Sequence, residues 1–178
     1  ATPAAAYAKS PERSWEADAN LSAEAVANGC TDIASQLVMR DPANALTVAL
    51  GGGRSYFLPK EVTDGENKAG NRKDGKDLTK TWVDRFSKAA YIWDKKGFDS
   101  VDTANTDHLL GLFNPSHMEY EADRADDVAG EPSLTEMTAK SLEILKKNDK
   151  GFLLIVESGR IDHGHHAGNA SRALTDAV

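Results

Sequence analysis

The stretch GFLLIVESGRIDHGHH, residues 151–166, decides the fold class, because an apolar run in it stops abruptly at charged and imidazole side chains. Residues 152–156 are continuously apolar, which is typical of strands that helices cover on both faces of a sheet. Glu157 follows directly, and the Ser-Gly pair after it allows a turn. The stretch predicts a buried strand with a carboxylate at its tip, followed by a helix that begins near Arg160.

The predicted helix carries a candidate metal site. In open α/β sheets, reactive groups collect at the carboxyl ends of the strands. Asp162 and His166 lie four positions apart, so on a helix their side chains are neighbours on one face. Such an oxygen and nitrogen pair suits Zn²⁺, whereas Glu157 suits Mg²⁺ or a bridging role. A polar helix start with exposed histidines has the same spacing, but clustered ionisable groups at a strand tip favour the metal interpretation.

The rest of the chain alternates helical and strand patterns, which indicates an α/β protein. Helices are predicted at residues 22–40 and 133–148, and a further helix is predicted to begin after Asp77. Strands are predicted at residues 45–50 and 89–93. Ser133 and Glu136 match a capping box, and the polar composition of residues 59–77 predicts a surface loop within the same domain. The helix at 22–40 would bury one apolar stripe, which consists of Val26, Cys30, Ile33, Leu37 and Val38.

The composition is that of a globular chain and argues against two classes of protein. The 178 residues carry a net charge of −7, with Lys and Arg dispersed among more numerous acids, so no nucleic-acid binding is expected. No run approaches the roughly 18 apolar residues that a membrane span needs. The chain opens at Ala1 without a methionine and closes at Val178 within a helical pattern, so we expect an internal fragment of a longer protein.

Several blocks of the sequence, in the same order, resemble the animal-type alkaline phosphatase family. VESGRIDHGHH is similar to that family's V-E-G-G-R-I-D-H-G-H-H, and further blocks are GCTDIASQL, LGGGRSYF, RKDGKDL, DHLLGLF, PSLTEMT and GFLLIVE. The resemblance covers essentially the whole chain. It implies an α/β fold, a three-layer α/β/α sandwich around a central mixed, mostly parallel sheet, of which residues 1–178 would be an incomplete, internal part of one catalytic domain.

The resemblance also implies a metal-dependent phosphate monoester hydrolase that uses zinc and magnesium and forms a phosphoserine intermediate. Asp162 and His166 fall on ligands of one zinc ion, and Glu157 and Thr2 fall on magnesium ligands. Arg13 falls on the arginine that binds the substrate phosphate, a role that suits a planar guanidinium.

Animal-type members hold a further, peripheral calcium-like ion. The side chains of Glu66 and Glu131 and the carbonyl of Phe113 fall on its ligand positions. Asn114 stands where the family usually has a glutamate, so this chain departs from the family's pattern there.

Other catalytic parts of the family fall outside the matched blocks. The nucleophilic serine precedes them, and the Asp-His pair of the second zinc follows them. Asp99-Ser100 and Asp107-His108 have similar residues, but they lie within the matched part of the chain and not at the positions of these motifs in the family. We therefore expect the isolated chain to have no phosphatase activity.

The resemblance further implies partners and a location. The substrates would be phosphate monoesters, and the complete enzyme would be a homodimer. It would be extracellular or lipid-anchored at the cell surface in an animal, and periplasmic in a bacterium. Cys30, the one cysteine of the sequence, would pair with a cysteine outside this chain.

Two alternatives stay open at this point. One is another metallohydrolase of the phosphatase and sulfatase superfamily with a different nucleophile. The other is a nonenzymatic zinc-binding protein in which His163, His165 and His166 form a loose chelating cluster. Substitution of Asp162 separates the two kinds of site, because a loose histidine cluster would keep its zinc affinity without it.

Overall fold

Three parallel strands form the central sheet of the described structure. The computed structural model describes residues 2–178, and for Thr2 the backbone alone. Strands β1 (Val48–Gly51), β2 (Ala89–Ile92) and β3 (His108–Leu112) lie in the order β1-β3-β2, with both pairs parallel. The sequence predicted β1 and β2 near these positions and did not predict β3, which takes the central place.

Helices pack on both faces of this sheet. They are α1 (Thr2–Ala5), α2 (Ala23–Ala27), α3 (Ile33–Val38), α4 (Leu78–Arg85), α5 (Lys95–Ser100), α6 (Leu134–Leu145), α7 (Gly159–His166) and α8 (Ala170–Thr175). Leu110 and Leu112 of β3 join a core with α3 and α4, while Leu109 joins a second core with α5 and α6. Side chains alternate between the faces of a strand, so β3 serves both cores, and the predicted α/β/α layering is confirmed. No helix among residues 2–178 is long and apolar enough to cross a membrane.

Side-chain caps fix two of the predicted helix starts. Asp77 accepts hydrogen bonds from two backbone N–H groups at the start of α4. Ser133 and Glu136 form the predicted capping box on α6, each side chain accepting from the other residue's backbone N–H. The helix ends at Leu145 and not at Asn148.

The single helix predicted over residues 22–40 is wrong, because α2 and α3 replace it. Gly29 lies between them at a φ of 76°, a left-handed conformation that ends the first helix. Asp32 then caps α3. As a result, Val26 and Cys30 are exposed and do not belong to one buried stripe.

The loop at residues 59–77 forms no helix or strand, but one of its charged side chains is fully buried. The guanidinium of Arg72 donates to the carboxylate of Asp32 at 2.9 and 3.1 Å, and to that of Asp74 at 3.1 and 2.8 Å. These bonds fasten the loop to the start of α3.

The strand predicted at residues 152–156 is also wrong for the described structure. The segment pairs with none of the three strands, and Leu153 is 83% exposed. A strand makes its hydrogen bonds only to a neighbouring strand, so an apolar run alone does not produce one. Glu157 therefore does not lie at a strand tip, although the helix after it forms as predicted.

Candidate metal centre

Helix α7 brings the two predicted zinc ligands together. Asp162 Oδ1 and His166 Nε2 are 3.5 Å apart, and their side chains are 72% and 79% exposed. Two ligands of a tetrahedral zinc ion, with bonds of roughly 2.0 Å, are separated by about 3.3 Å. The pair therefore fits one edge of a zinc site.

No third side chain completes this pair in the described structure. Within residues 2–178, no group of three or more His, Cys, Asp or Glu side chains is arranged to hold a metal ion. Glu157, the predicted magnesium ligand, is exposed just before α7. The side chain of Thr2, the other predicted magnesium ligand, lies outside the described part of the chain.

The remaining histidines of α7 have other surroundings. His163 Nδ1 lies 2.9 Å from Arg160 Nη1, and the His163 ring packs edge-on against His117, with centroids 4.5 Å apart. Since a guanidinium only donates, Nδ1 of His163 accepts this bond. Burial lowers the pKa of His117, and nearby His163 and Arg160 lower it further. His165 is exposed. His163, His165 and His166 are not arranged as a group of three metal ligands among the described residues.

Arg13, the predicted phosphate ligand, lies on the surface between α1 and α2. Its side chain is exposed, and it makes no ion pair with another described residue. Its donors are thus available to an oxyanion. No hydrogen bond joins Arg13 to α7 within the described residues.

Glu131 and Asn114, which fall on two of the predicted calcium-ligand positions, are neighbours. Glu131 is 2% exposed, and its carboxylate accepts from Asn114 Nδ2 at 2.9 Å and from Glu119 N–H at 2.8 Å. Burial raises the pKa of Glu131, whereas these two hydrogen bonds lower it, and the net shift is upward. This carboxylate forms no ion pair within the described residues, although Arg124 Nη1 donates to the Glu131 backbone carbonyl at 3.2 Å. Phe113, whose carbonyl was the predicted main-chain ligand, is fully buried just after β3.

The other predicted calcium ligand, Glu66, is held by a buried arginine. The guanidinium of Arg54 is 1% exposed; it contacts the Glu66 carboxylate and donates from Nε to Asp64 at 2.7 Å. A cavity of about 680 Å³ lies beside this pair, and its acidic lining includes Glu66, Glu119, Asp123, Asp126 and Asp127 together with Trp93.

The motifs that imitate catalytic pairs have structural roles. Ser100 Oγ donates to the carbonyl of Gly97 at 2.8 Å within α5. Asp107 accepts from Lys147 Nζ at 3.0 Å. The His108 ring stacks on Phe86, with centroids 4.1 Å apart. None of these side chains belongs to a site on α7.

The whole chain matches one protein family. A sequence model described as alkaline phosphatase matches residues 1–178. The chain belongs to the alkaline phosphatase family. Among curated relatives, it is 45% identical to alkaline phosphatase from Gadus morhua and 46% identical to the tissue-nonspecific isozyme from Homo sapiens. In both matches all of this chain is aligned, but it spans only 38% and 35% of the relatives' own length.

Solved alkaline phosphatase structures agree with the fold. The crystal structure of the Thermus thermophilus enzyme is similar with a TM-score of 0.66 at 34% identity, over 82% of this chain and 27% of that chain. The enzyme from the Antarctic bacterium TAB5 also gives a TM-score of 0.66, over 99% of this chain and 41% of that chain. The second likeness, at 22% identity, shows the fold alone.

One cluster of side chains in the structure was not predicted from the sequence. Tyr120, in the loop after β3, packs against Arg160 of α7 and Arg172 of α8, and Asp123 in the same loop pairs with Arg172. These residues are far apart in the sequence and match no local pattern, so only the folded chain brings them to notice.

Proposed function

We propose that this chain supplies an internal part of the catalytic domain of a metal-dependent phosphate monoester hydrolase. The proposal is carried by the Asp162–His166 pair on α7, within a chain that matches the alkaline phosphatase family over its whole length. That family match favours an alkaline phosphatase over another phosphatase or sulfatase with a different nucleophile. The separate surroundings of His163 and His165 give no support to a loose histidine cluster.

The chain's residues would hold two kinds of metal ion. Asp162 and His166 would provide an oxygen and a nitrogen to zinc, while Glu157 and Thr2 would provide oxygens to magnesium. When bound, the ions would lower the pKa of a hydroxyl nucleophile and stabilise the leaving oxygen. The exposed positions of Asp162 and His166 leave room for further ligands from the parent protein.

Arg13 would bind the phosphate group of the substrate. Its guanidinium can donate two parallel hydrogen bonds to phosphate oxygens and balance the charge that those oxygens carry during transfer. The nucleophile would be a serine of the parent protein outside this chain, and it would form a phosphoserine intermediate.

Further properties of the parent protein are proposed on the family alone. Cys30 would form a disulfide with a cysteine outside this chain, and its exposed position supports access to such a partner. The parent would be a homodimer, extracellular or cell-surface in an animal and periplasmic in a bacterium.

Alanine at Asp162 or His166 is expected to weaken Co²⁺ binding to the purified chain at least roughly tenfold, since even outer-shell partners of metal ligands commonly contribute that much. Each substitution removes one of the two adjacent ligands on α7. Co²⁺ replaces Zn²⁺ and gives visible absorption that reports its coordination, so a titration followed by absorbance measures both affinity and geometry.

His165→Ala is the matched control, because His165 is exposed on the same helix without joining the pair. Unchanged Co²⁺ affinity after Asp162→Ala would contradict the proposed zinc site, and an equal loss after His165→Ala would restore the loose cluster. The wild-type chain alone should not hydrolyse p-nitrophenyl phosphate. Chelator-sensitive turnover by it would show that the catalytic site is complete without the parent's other segments.

We also propose that a calcium-like ion binds beside Glu131. The supporting observation is a carboxylate that is 2% exposed and forms no ion pair among the described residues. Asn114 offers a neutral oxygen once its amide rotates away from the Ser116 N–H. Glu119, whose N–H donates to Glu131, lines the acidic cavity. Glu66 would have to leave Arg54 in order to join the site.

Terbium luminescence provides the test of this second site. Tb³⁺ replaces calcium and emits when a nearby tryptophan is excited, and Trp93 lines the acidic cavity. Glu131→Gln is expected to weaken Tb³⁺ binding roughly tenfold, because it removes the charge that hard cations need. Glu24→Gln, at an exposed glutamate outside the cavity lining, serves as the control, and Trp93→Phe should abolish the emission. Equal Tb³⁺ affinities for Glu131→Gln and wild type would count against the site.

A further inference from the structure

Helices α7 and α8 pack as one unit. A methyl group on Gly164 of α7 would lie 2.9 to 3.0 Å from the backbone N, Cα and Cβ of Ala173 in α8, closer than ordinary contacts allow. The glycine therefore permits close contact between the two helices, so side-chain contacts that fix α8 also restrain α7.

A tyrosine from the loop after β3 is held between these helices. The guanidinium carbon of Arg160 lies 3.8 Å from the centroid of the Tyr120 ring, and that of Arg172 lies 5.4 Å from it. Both distances fall within the roughly 6 Å range of cation–π attraction. One aromatic ring thus contacts the first turn of α7 and the middle of α8.

An ion pair reinforces this contact. Arg172 donates from Nε and Nη2 to the two carboxylate oxygens of Asp123 at 2.8 and 2.7 Å, which is a bidentate arrangement. We call Tyr120, Asp123, Arg160 and Arg172 the Tyr120 clamp. At the far end of α8, Asp176 accepts from the backbone N–H of Glu121 at 3.3 Å.

The clamp adds to a short connection directly before α7, where Ser158 Oγ donates to the carbonyl of Asp176 at 3.1 Å. Residues 152–156 form no ladder hydrogen bonds with the sheet, and Leu153 is largely exposed. The loop that carries Tyr120 begins just after the central strand β3, so it connects α7 to the most buried strand.

We propose that Tyr120 is a positioning residue for the metal pair: through Arg160 and Arg172 it orients α7 and so presents Asp162 and His166 together. The inference rests on the proposed function, since it concerns the same two metal ligands. Ligand affinity depends on how well supporting residues fix the ligands beforehand, and loss of such support commonly weakens metal binding roughly tenfold to a hundredfold. The aromatic face of Tyr120 carries this role, because no hydrogen bond of its hydroxyl occurs among the described residues.

Two substitutions at position 120 test the proposal in the purified chain. Tyr120→Leu removes the aromatic face at similar bulk, whereas Tyr120→Phe keeps it. Heteronuclear ¹H–¹⁵N NOE values report the order of each backbone amide without any metal, and Co²⁺ titration reports the affinity of the pair. In Tyr120→Leu we expect lower NOE values in α7 and α8, unchanged values in β3 and roughly tenfold weaker Co²⁺ binding. Tyr120→Phe should match the wild type in the NOE values of α7 and α8, in those of β3 and in Co²⁺ affinity.

Arg172→Gln is the second variant, which removes one cation and the ion pair while leaving the ring. It should loosen α7 in the same direction, and it keeps the test available if Tyr120→Leu fails to fold. Wild-type NOE values in α7 for both Tyr120→Leu and Arg172→Gln would overturn the proposal, as would an equal loss of order in β3. If the wild-type chain binds no Co²⁺ through Asp162, the proposed function fails, and the metal-free NOE values still decide whether the clamp orients α7.

Discussion

Replacing Arg72 with methionine is expected to destabilise the chain by about 3–5 kcal/mol, as removal of one partner from a buried ion pair typically does. The Arg72 side chain is fully buried, and it donates two hydrogen bonds to Asp32, which is 3% exposed. Methionine fills a similar volume but leaves the Asp32 carboxylate buried beside no cation. Urea unfolding followed by circular dichroism measures the free energy of unfolding.

Lys73→Met provides the matched control for Arg72→Met. It is the next residue in the loop, with an exposed side chain, and its substitution should change stability by no more than about 0.5 kcal/mol. Asp32→Ala should also be destabilising, because it removes both the partner of Arg72 and the cap of α3. If Arg72→Met lowers the free energy of unfolding by less than about 1 kcal/mol, water or a local rearrangement must stabilise the Asp32 carboxylate in place of the guanidinium.

The second large effect is expected at Trp82. Trp82→Ala should lower the free energy of unfolding by about 3–5 kcal/mol, because it removes buried apolar surface and leaves a cavity. Trp82 has no exposed surface and packs in the core between α3, α4 and β3, edge-on to Phe86 at 5.3 Å between centroids. Its indole N–H has no hydrogen-bond partner among the described residues. Alanine removes the ring, which is one of the largest side chains in this core.

Trp82→Phe separates packing from the unpaired N–H. Phenylalanine loses some buried area but also removes a buried donor whose unpaired state costs about 1–3 kcal/mol, so the net change should stay near zero. Val83→Ala, at the neighbouring and 41% exposed position of α4, is the control, and it should change the free energy of unfolding by no more than about 0.5 kcal/mol. Urea unfolding measures the free energy of unfolding of Trp82→Ala, Trp82→Phe and Val83→Ala. A loss of stability for Trp82→Phe as large as that for Trp82→Ala would contradict this account.

Features that depend on neighbours in the sequence were predictable. The caps at Asp77 and Ser133 and the Asp162–His166 pair follow from side chains that interact within one helical turn. The break at Gly29 was also visible in the sequence as a glycine, but an apolar pattern that continued past it concealed the break. A periodic stripe shows which side chains could share a face and does not show whether the backbone stays helical.

Features that depend on distant residues were not predictable. Arg72 stands in a polar loop and looks solvent-exposed, and only its contact with Asp32, 40 residues earlier, reveals a buried ion pair. The Tyr120 clamp likewise joins Asp123 to Arg172 across 49 residues. Residues 152–156 show the opposite case, since an apolar run indicates a strand but cannot supply the neighbour that a strand needs.

That unpaired segment has a practical consequence for handling the molecule. Its uncovered backbone groups and apolar side chains can template the addition of identical chains, so concentrated samples are expected to aggregate. Lys150 and Glu157 flank the segment as charged gatekeepers, and the net charge of −7 makes the molecules repel one another. Added salt screens that repulsion, so dilute samples at low ionic strength should stay dispersed longest.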